Sequence, residues 1–235
     1  MTVIPEEESK MKKLLAILIS ALLICCLTVG CSQGGEDVSS NRDNSSASDT
    51  NSKDETAKKD EYVRGDRTAT EWSSEWIGLK YTLGSNFIMT TDEELDQLIA
   101  ATGDAMFKDE ETGQQMIDYA ELTDVYEMMA VATTGDNIIV MAQKLPLANM
   151  SIDQYITSFK SQNENLQATM QFSETTTRNV AGLEFSEIQA SMSTQNGAAS
   201  QTYLFTKIED RIIAIILTAV TEGAVDNMLA GFSAI

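Results

Sequence analysis

The chain has 235 residues, 43% of them hydrophobic, with 36 acidic and 16 basic residues and a formal net charge of −20. It holds no histidine and three cysteines, Cys25, Cys26 and Cys31, all inside one apolar segment. Those counts exclude Ser-His-Asp, Cys-His and histidine–metal chemistry, and a field of this sign repels nucleic acid and anionic lipid surfaces.

Residues Met1 to Lys10 carry Glu6, Glu7 and Glu8 where a signal peptide needs positive charge. Two readings stand. Either Met1 begins a tolerated extension, or Met11 is the true start and the purine-rich glutamate codons belong to a ribosome-binding site. From Met11 the pattern is regular: Lys12 and Lys13 precede an apolar run from Leu14 to Val29, short for a membrane span. Leu27-Thr28-Val29-Gly30-Cys31 resembles the lipobox of bacterial lipoproteins, in which the cysteine is diacylated on sulfur and becomes the mature N-terminus. Thr28 departs from the pattern, because leucine is usual three residues before the cysteine and here sits one residue earlier. The resemblance implies that Cys31 is lipidated and that residues 1–30 are extension and signal peptide. The protein is then held on the outer face of a bacterial cell membrane, and two acyl chains give stable anchoring where one is marginal. An uncleaved single-span anchor is the alternative, and it also leaves the rest of the chain on one side of a membrane.

Residues 31–70 are rich in Ser, Asn, Asp, Thr, Lys and Gly, with Val38, Ala47, Ala57, Tyr62, Val63 and Ala69 as unperiodic apolar interruptions. Such a segment cannot bury enough surface to offset its conformational entropy and is expected to be a disordered tether of roughly 30 to 40 Å reach. Within it lies Arg64-Gly65-Asp66, the tripeptide that integrins read, expected to be exposed.

Residues 71–235 have a folding composition and the length of one domain. Leu79, Tyr81 and Leu83 alternate with polar positions after Gly78, which predicts a strand entered through a turn, and Phe87-Ile88-Met89 continues it. Thr91 with Glu94 forms a capping box, and Leu95, Leu98 and Ile99 recur at helical spacing, predicting a helix from about Asp92 to Ala101. Asp109 to Ala120 is polar and reads as a loop. Val125 to Ala132 and Ile138 to Lys144 flank a turn at Thr133 to Asn137, which predicts a hairpin. Ser151 with Gln154 opens a second helix whose stripe is Ile152, Tyr155, Ile156 and Phe159.

The C-terminal third is rich in predicted strands. Gln167 to Phe172 is extended, and Leu183 to Met192 is a strand whose inward parity changes after Phe185, predicting a bulge or crossover near Ser186-Glu187. Asn196-Gly197 is a strong turn signal from which Gln201 to Ile208 pairs back. Arg211 to Val220 is apolar on both parities and must be covered on both sides. Ala224 to Phe232, with Val225, Met228, Leu229 and Phe232, reads as a last helix. The fold class is therefore α+β, a largely antiparallel sheet with helices on both faces, an α/β/α sandwich.

The run Trp76-Ile77-Gly78-Leu79-Lys80-Tyr81-Thr82-Leu83, then Asn86-Phe87-Ile88-Met89 and Thr91-Asp92-Glu93-Glu94-Leu95, resembles the opening of small lipoproteins of unknown function from clostridia and related gut Firmicutes. Asn137 to Met141 and Ile212 to Thr218 fit the same picture, from about Glu71 to Ile235. Such proteins are similar in fold to the photosystem subunit PsbP and its bacterial relatives. In place of the proline usual after the second strand stands Leu83-Gly84. The resemblance implies a binding module and carries over no functional residues.

The domain holds 24 acidic and 7 basic residues, so cationic peptides, polyamines, basic wall proteins and divalent cations are the partners its field attracts. Asp92, Glu93, Glu94 and Asp96 complement a helix dipole. Asp109, Glu110 and Glu111 lack the alternating spacing and central glycine of a calcium loop. Met128, Met129, Met141, Met170 and Met192 at strand positions read as core packing. No nucleotide-binding glycine motif is present. The expected function is a lipid-anchored extracytoplasmic binding module without catalysis, cofactor or metal, its partner a basic protein or peptide. The alternatives are an adhesin acting through Arg64, Gly65 and Asp66 and a carboxylate-based hydrolase of envelope polymers.

Overall fold

The computed structural model describes residues 61–98, 123–166, 171–194 and 197–235. The signal segment with Cys31, the tether up to residue 60, the Asp109–Ala120 loop and Asn196 lie outside the described residues. In chain order the elements are β1 (Asp66–Arg67), β2 (Glu71–Ser74), β3 (Leu79–Thr82), β4 (Phe87–Met89) and a helix α1 over 92–98. They continue with β5 (Asp124–Ala132), β6 (Asn137–Lys144), α2 (Ile152–Leu166), β7 (Gln171–Phe172), β8 (Thr176–Val180) and β9 (Leu183–Thr194). The last are β10 (Gly197–Ile208), β11 (Arg211–Ala219), α3 (Ala224–Leu229) and β12 (Phe232–Ala234). Among the described residues all strand pairings are antiparallel and form two sheets, a small one ordered β1-β2-β3-β12 and a large one ordered β4-β5-β6-β11-β10-β9-β7 with β8 also on β9. No described helix is long and apolar enough to cross a membrane.

Central β11, flanked by β6 and β10, is buried from Ile212 to Ala219 because each parity faces its own core. One face packs Ile212, Ala214 and Ile216 with Met141, Tyr203 and Phe205 against Tyr155, Ile156 and Phe159 of α2. There the Phe159 ring lies 5.1 Å from both Tyr203 and Phe205 in edge-to-face contact. The other face packs Ile213, Ile215 and Leu217 against Trp72, Leu79, Tyr81, Met228 and Phe232. Both faces are covered as the two-sided apolar run requires. The cover of the second face is the small sheet together with the short α3, where helices alone were expected.

Both predicted capping boxes form. The Thr91 N–H donates to Glu94 Oε2 at 2.9 Å and the Glu94 N–H donates to Thr91 Oγ1 at 3.2 Å; Ser151 and Gln154 repeat the exchange at 2.9 and 3.2 Å. The predicted hairpin is β5–β6, joined by residues 133–136.

Three sequence expectations are corrected. β9 carries no bulge: its register with β10 runs unbroken from Thr194 to Ser186, and its register with β8 is unbroken through Glu187. The parity change arises because Phe185 points to the small-sheet core while Ile188 and Ala190 point to the α2 core. The last helix stops at Leu229, and Phe232 belongs to β12, opposite Tyr81 on β3. Gly231 makes that junction: a Cβ there would lie 2.5 Å from the Tyr81 ring and 2.8 Å from the Thr82 carbonyl oxygen. Phe232 falls at helical spacing because a strand returns it to the same core. Finally, residues 61–70, expected as the end of the tether, belong to the folded body. β1 pairs with β2, and Thr68 closes the turn between them by donating its N–H to the Glu71 carbonyl at 2.8 Å.

Candidate functional site

β5 contains a register shift between Tyr126 and Met128, and the extra residue is Glu127. A bulge places two successive residues against one partner and re-aims a side chain. Here it sets the Glu127 carboxylate into the small-sheet side of the molecule, where the residue is 0% exposed. A buried carboxylate persists only with donors around it. The Tyr62 hydroxyl donates to Oε1 at 2.7 Å, and the Gly65 N–H and Trp72 Nε1–H donate to Oε2 at 2.8 and 3.1 Å. Two of those three donors come from the segment 61–67, which is thereby clasped to the large sheet.

Neighbouring side chains reinforce the clasp. The Tyr62 ring meets Trp76 edge-on at 5.1 Å, and the Arg211 guanidinium carbon stands 4.0 Å from its centre on β11. Burial, with the Glu127 carboxylate beside it, raises the Tyr62 phenol above its ordinary value, so it stays a donor at neutral pH. Arg64 donates from Nε and Nη2 to the Tyr126 carbonyl oxygen at 3.1 and 2.7 Å, and from Nη2 to Asp92 Oδ1 at 2.8 Å. Arg67 also donates to Asp92, and the hydrogen bonds from Arg64 and Arg67 hold the Asp92 carboxyl below its usual range.

The tripeptide therefore occupies a different setting from a free recognition loop. Arg64 is tied to Tyr126 and Asp92, Gly65 is fixed by contact, and exposed Asp66 lies in β1 opposite Ser73. A Cβ on Gly65 would meet the Ser73 carbonyl oxygen at 2.5 Å, Trp72 Nε1 at 2.7 Å and Glu127 Oε2 at 2.9 Å. The glycine is thus required by close approach, whatever reads the sequence.

Beside the clasp runs a cleft of about 430 Å³. One wall is the strap, with Glu61, Val63, Arg64, Gly65 and Asp66, and the other is Ser73, Glu75 and Trp76 at the end of β2. Among the described residues three carboxylates line it, and Arg64, the one basic lining residue among them, is already engaged. A second cleft of about 370 Å³ lies between α3 and β3, lined by Tyr81, Asp136, Asn227 and Gly231 among others. Its carboxylate is occupied internally: Asp136 accepts from Thr134 Oγ1, from the Val220 and Thr221 N–H groups and from Thr221 Oγ1. No described residues form a group of three or more metal-ligating side chains.

Of the residues singled out in the sequence, Cys31 lies outside the described residues, and Arg64, Gly65 and Asp66 come together at the cleft. Glu127, Tyr62, Trp72 and Arg211 were missed. The signal for Glu127 was an acid inside the apolar run from Val125 to Ala132, and for Tyr62 an aromatic residue within a polar tether.

No family model and no curated protein sequence matches the chain. Among solved structures it is similar to the cyanobacterial PsbP protein CyanoP from Synechocystis sp. PCC 6803, at 10% identity and a TM-score of 0.42, over 74% of this chain and 98% of that one. It is similar to a protein from Bacteroides thetaiotaomicron VPI-5482 at 10% identity and a TM-score of 0.38, over 71% of this chain and 48% of that one. It is also similar to LpqN of Mycobacterium tuberculosis, involved in cell envelope biogenesis, at 7% identity and a TM-score of 0.33, over 66% of this chain and 82% of that one.

Proposed function

We propose that the protein is a lipid-anchored extracytoplasmic binding module, held through Cys31 at the outer face of a bacterial membrane, with no catalytic step of its own. Its cleft takes a basic segment of a protein or peptide. The observation that carries this reading is the cleft between strap and β2, which gathers Glu61, Asp66 and Glu75 while Arg64 is tied away to Tyr126 and Asp92. A lysine or arginine entering there gains the carboxylates, and a folded body whose residues 61–235 hold 26 acidic and 9 basic residues steers such a ligand toward itself. Asp124, the buried acid whose carboxyl is raised to about 6, is absent from the cleft lining. Adhesion through the tripeptide would require Arg64 to leave both of its partners.

Titration of a lysine-rich peptide into the mature chain is expected to show binding that weakens steeply as salt is raised. Absence of binding at low salt would contradict the reading. For the anchor, Cys31→Ala is expected to abolish uptake of labelled fatty acid, and continued labelling of that variant would sink the lipidation assignment.

A further inference from the structure

We infer that residues 61–67 form a two-state strap. Docked, Tyr62 stands between Glu127 and Arg211 and the strap builds one wall of the cleft; released, Glu127 and Arg211 close on each other and that wall is gone. The consequence for ligand rests on the reading of the cleft as the binding site, while the two-state strap rests on geometry alone.

The geometry is that of one phenol shared by two opposite charges. Its hydroxyl donates to Glu127 Oε1 at 2.7 Å, and its ring face lies under the Arg211 guanidinium with 4.0 Å from guanidinium carbon to ring centre. Arg211 Nε and Nη1 are buried with no hydrogen-bond partner, so the guanidinium is attached to the strap by a ring contact and holds N–H donors in reserve. Among the described residues Glu127, fully buried with the strap docked, draws two of its three donors from the strap, and losing them leaves its carboxylate with Trp72 Nε1. An acceptor short of donors and a donor short of acceptors then face the space Tyr62 has vacated. Both belong to the same side of the large sheet, and β6 between their strands contributes the small Ala142 to that core.

Ligand and strap are coupled by this arrangement. A basic segment in the cleft contacts strap residues, so it favours the docked state, and docking favours the ligand by the same factor. The strap is also where the segment that leads from Cys31 joins the folded body.

The reporter is hydrogen exchange at the Gly65 amide, which donates to Glu127 Oε2, measured in the mature full-length chain. Tyr62→Phe removes the hydroxyl bond and is expected to speed exchange at Gly65 by about tenfold. Arg211→Met removes the competitor for Glu127 and is expected to slow it. If Arg211 only supports the strap through the ring contact, Arg211→Met speeds exchange instead, and that result overturns the two-state strap. A lysine-rich peptide that binds should slow Gly65 exchange in the wild type. Binding with unchanged exchange refutes the coupling. Failure to bind defeats the binding reading, and the opposite signs of the two variants still decide the strap.

Discussion

Ile213→Ala and Ile216→Ala are each expected to cost about 2–5 kcal/mol in urea unfolding, the range for large-to-small changes at sites that cannot collapse. The two residues are on opposite faces of β11, and both are 0% exposed. Ile216 packs beneath α2, among Tyr155, Ile156 and Phe159, and Ile213 packs beneath the small sheet, among Trp72, Tyr81 and Met228. Similar losses at the two positions are the mark of a sheet closed on both sides. A large loss at Ile216 with little at Ile213 would mean that the small sheet is not seated on the large one.

Asp124→Asn is expected to stabilise the protein, by up to about 3 kcal/mol at neutral pH and by little near pH 4. Asp124 is buried beneath α2, its Oδ1 accepting from Gln143 Nε2 at 2.8 Å and Thr123 Oγ1 at 3.0 Å, while Oδ2 has no partner. Gln143 in turn accepts from the Tyr155 hydroxyl at 2.7 Å, so the chain of bonds reaches from α2 to the start of β5. Burial raises the Asp124 carboxyl to about 6 against the opposing pull of its hydrogen bonds and the Arg211 charge. The native state therefore holds a proton that the unfolded chain releases at lower pH. Wild-type stability from this group falls as pH rises from about 4 to about 6 and stays low above that. Asparagine keeps the acceptor for Gln143 and removes the charge. Urea midpoints of both proteins from about pH 4 to pH 8 give the test, and a difference constant across that range would contradict the assignment.

What the sequence disclosed and what it hid follow from the range of the interactions. The Thr91–Glu94 and Ser151–Gln154 boxes close within one helical turn, so a pattern of four residues announces them. The two-faced burial of β11 is likewise written along its own length as an unbroken apolar run. The strap is the opposite case. Residues 61–67 are polar and without period, and what orders them is contact with Trp72, Asp92, Tyr126 and Glu127, up to 65 residues away. Composition signalled a coil because composition does not contain those partners. β9 misled for a related reason: period-2 reading assumes one covered face, and this strand runs from one cover to the other. Glu127 stood in plain view as an acid inside a strand, but its burial requires the donors of the strap, which the sequence offers no local reason to bring there.

The distinction on which the functional account stands is between a cleft that binds and an acidic surface that merely attracts. Glu75 lines the cleft and is exposed, and Glu184 on β9 is an exposed acid outside it. Each can be reversed in charge without disturbing a core. The decisive measurement is the titration of one lysine-rich peptide, at one salt concentration, into the mature wild-type chain, Glu75→Lys and Glu184→Lys. Glu75→Lys is expected to weaken binding by about tenfold or more while Glu184→Lys changes it by less than about twofold, the contrast of a contact charge with a screened distant one. Equal losses in the two variants would place the attraction in the overall charge and contradict a site at the strap.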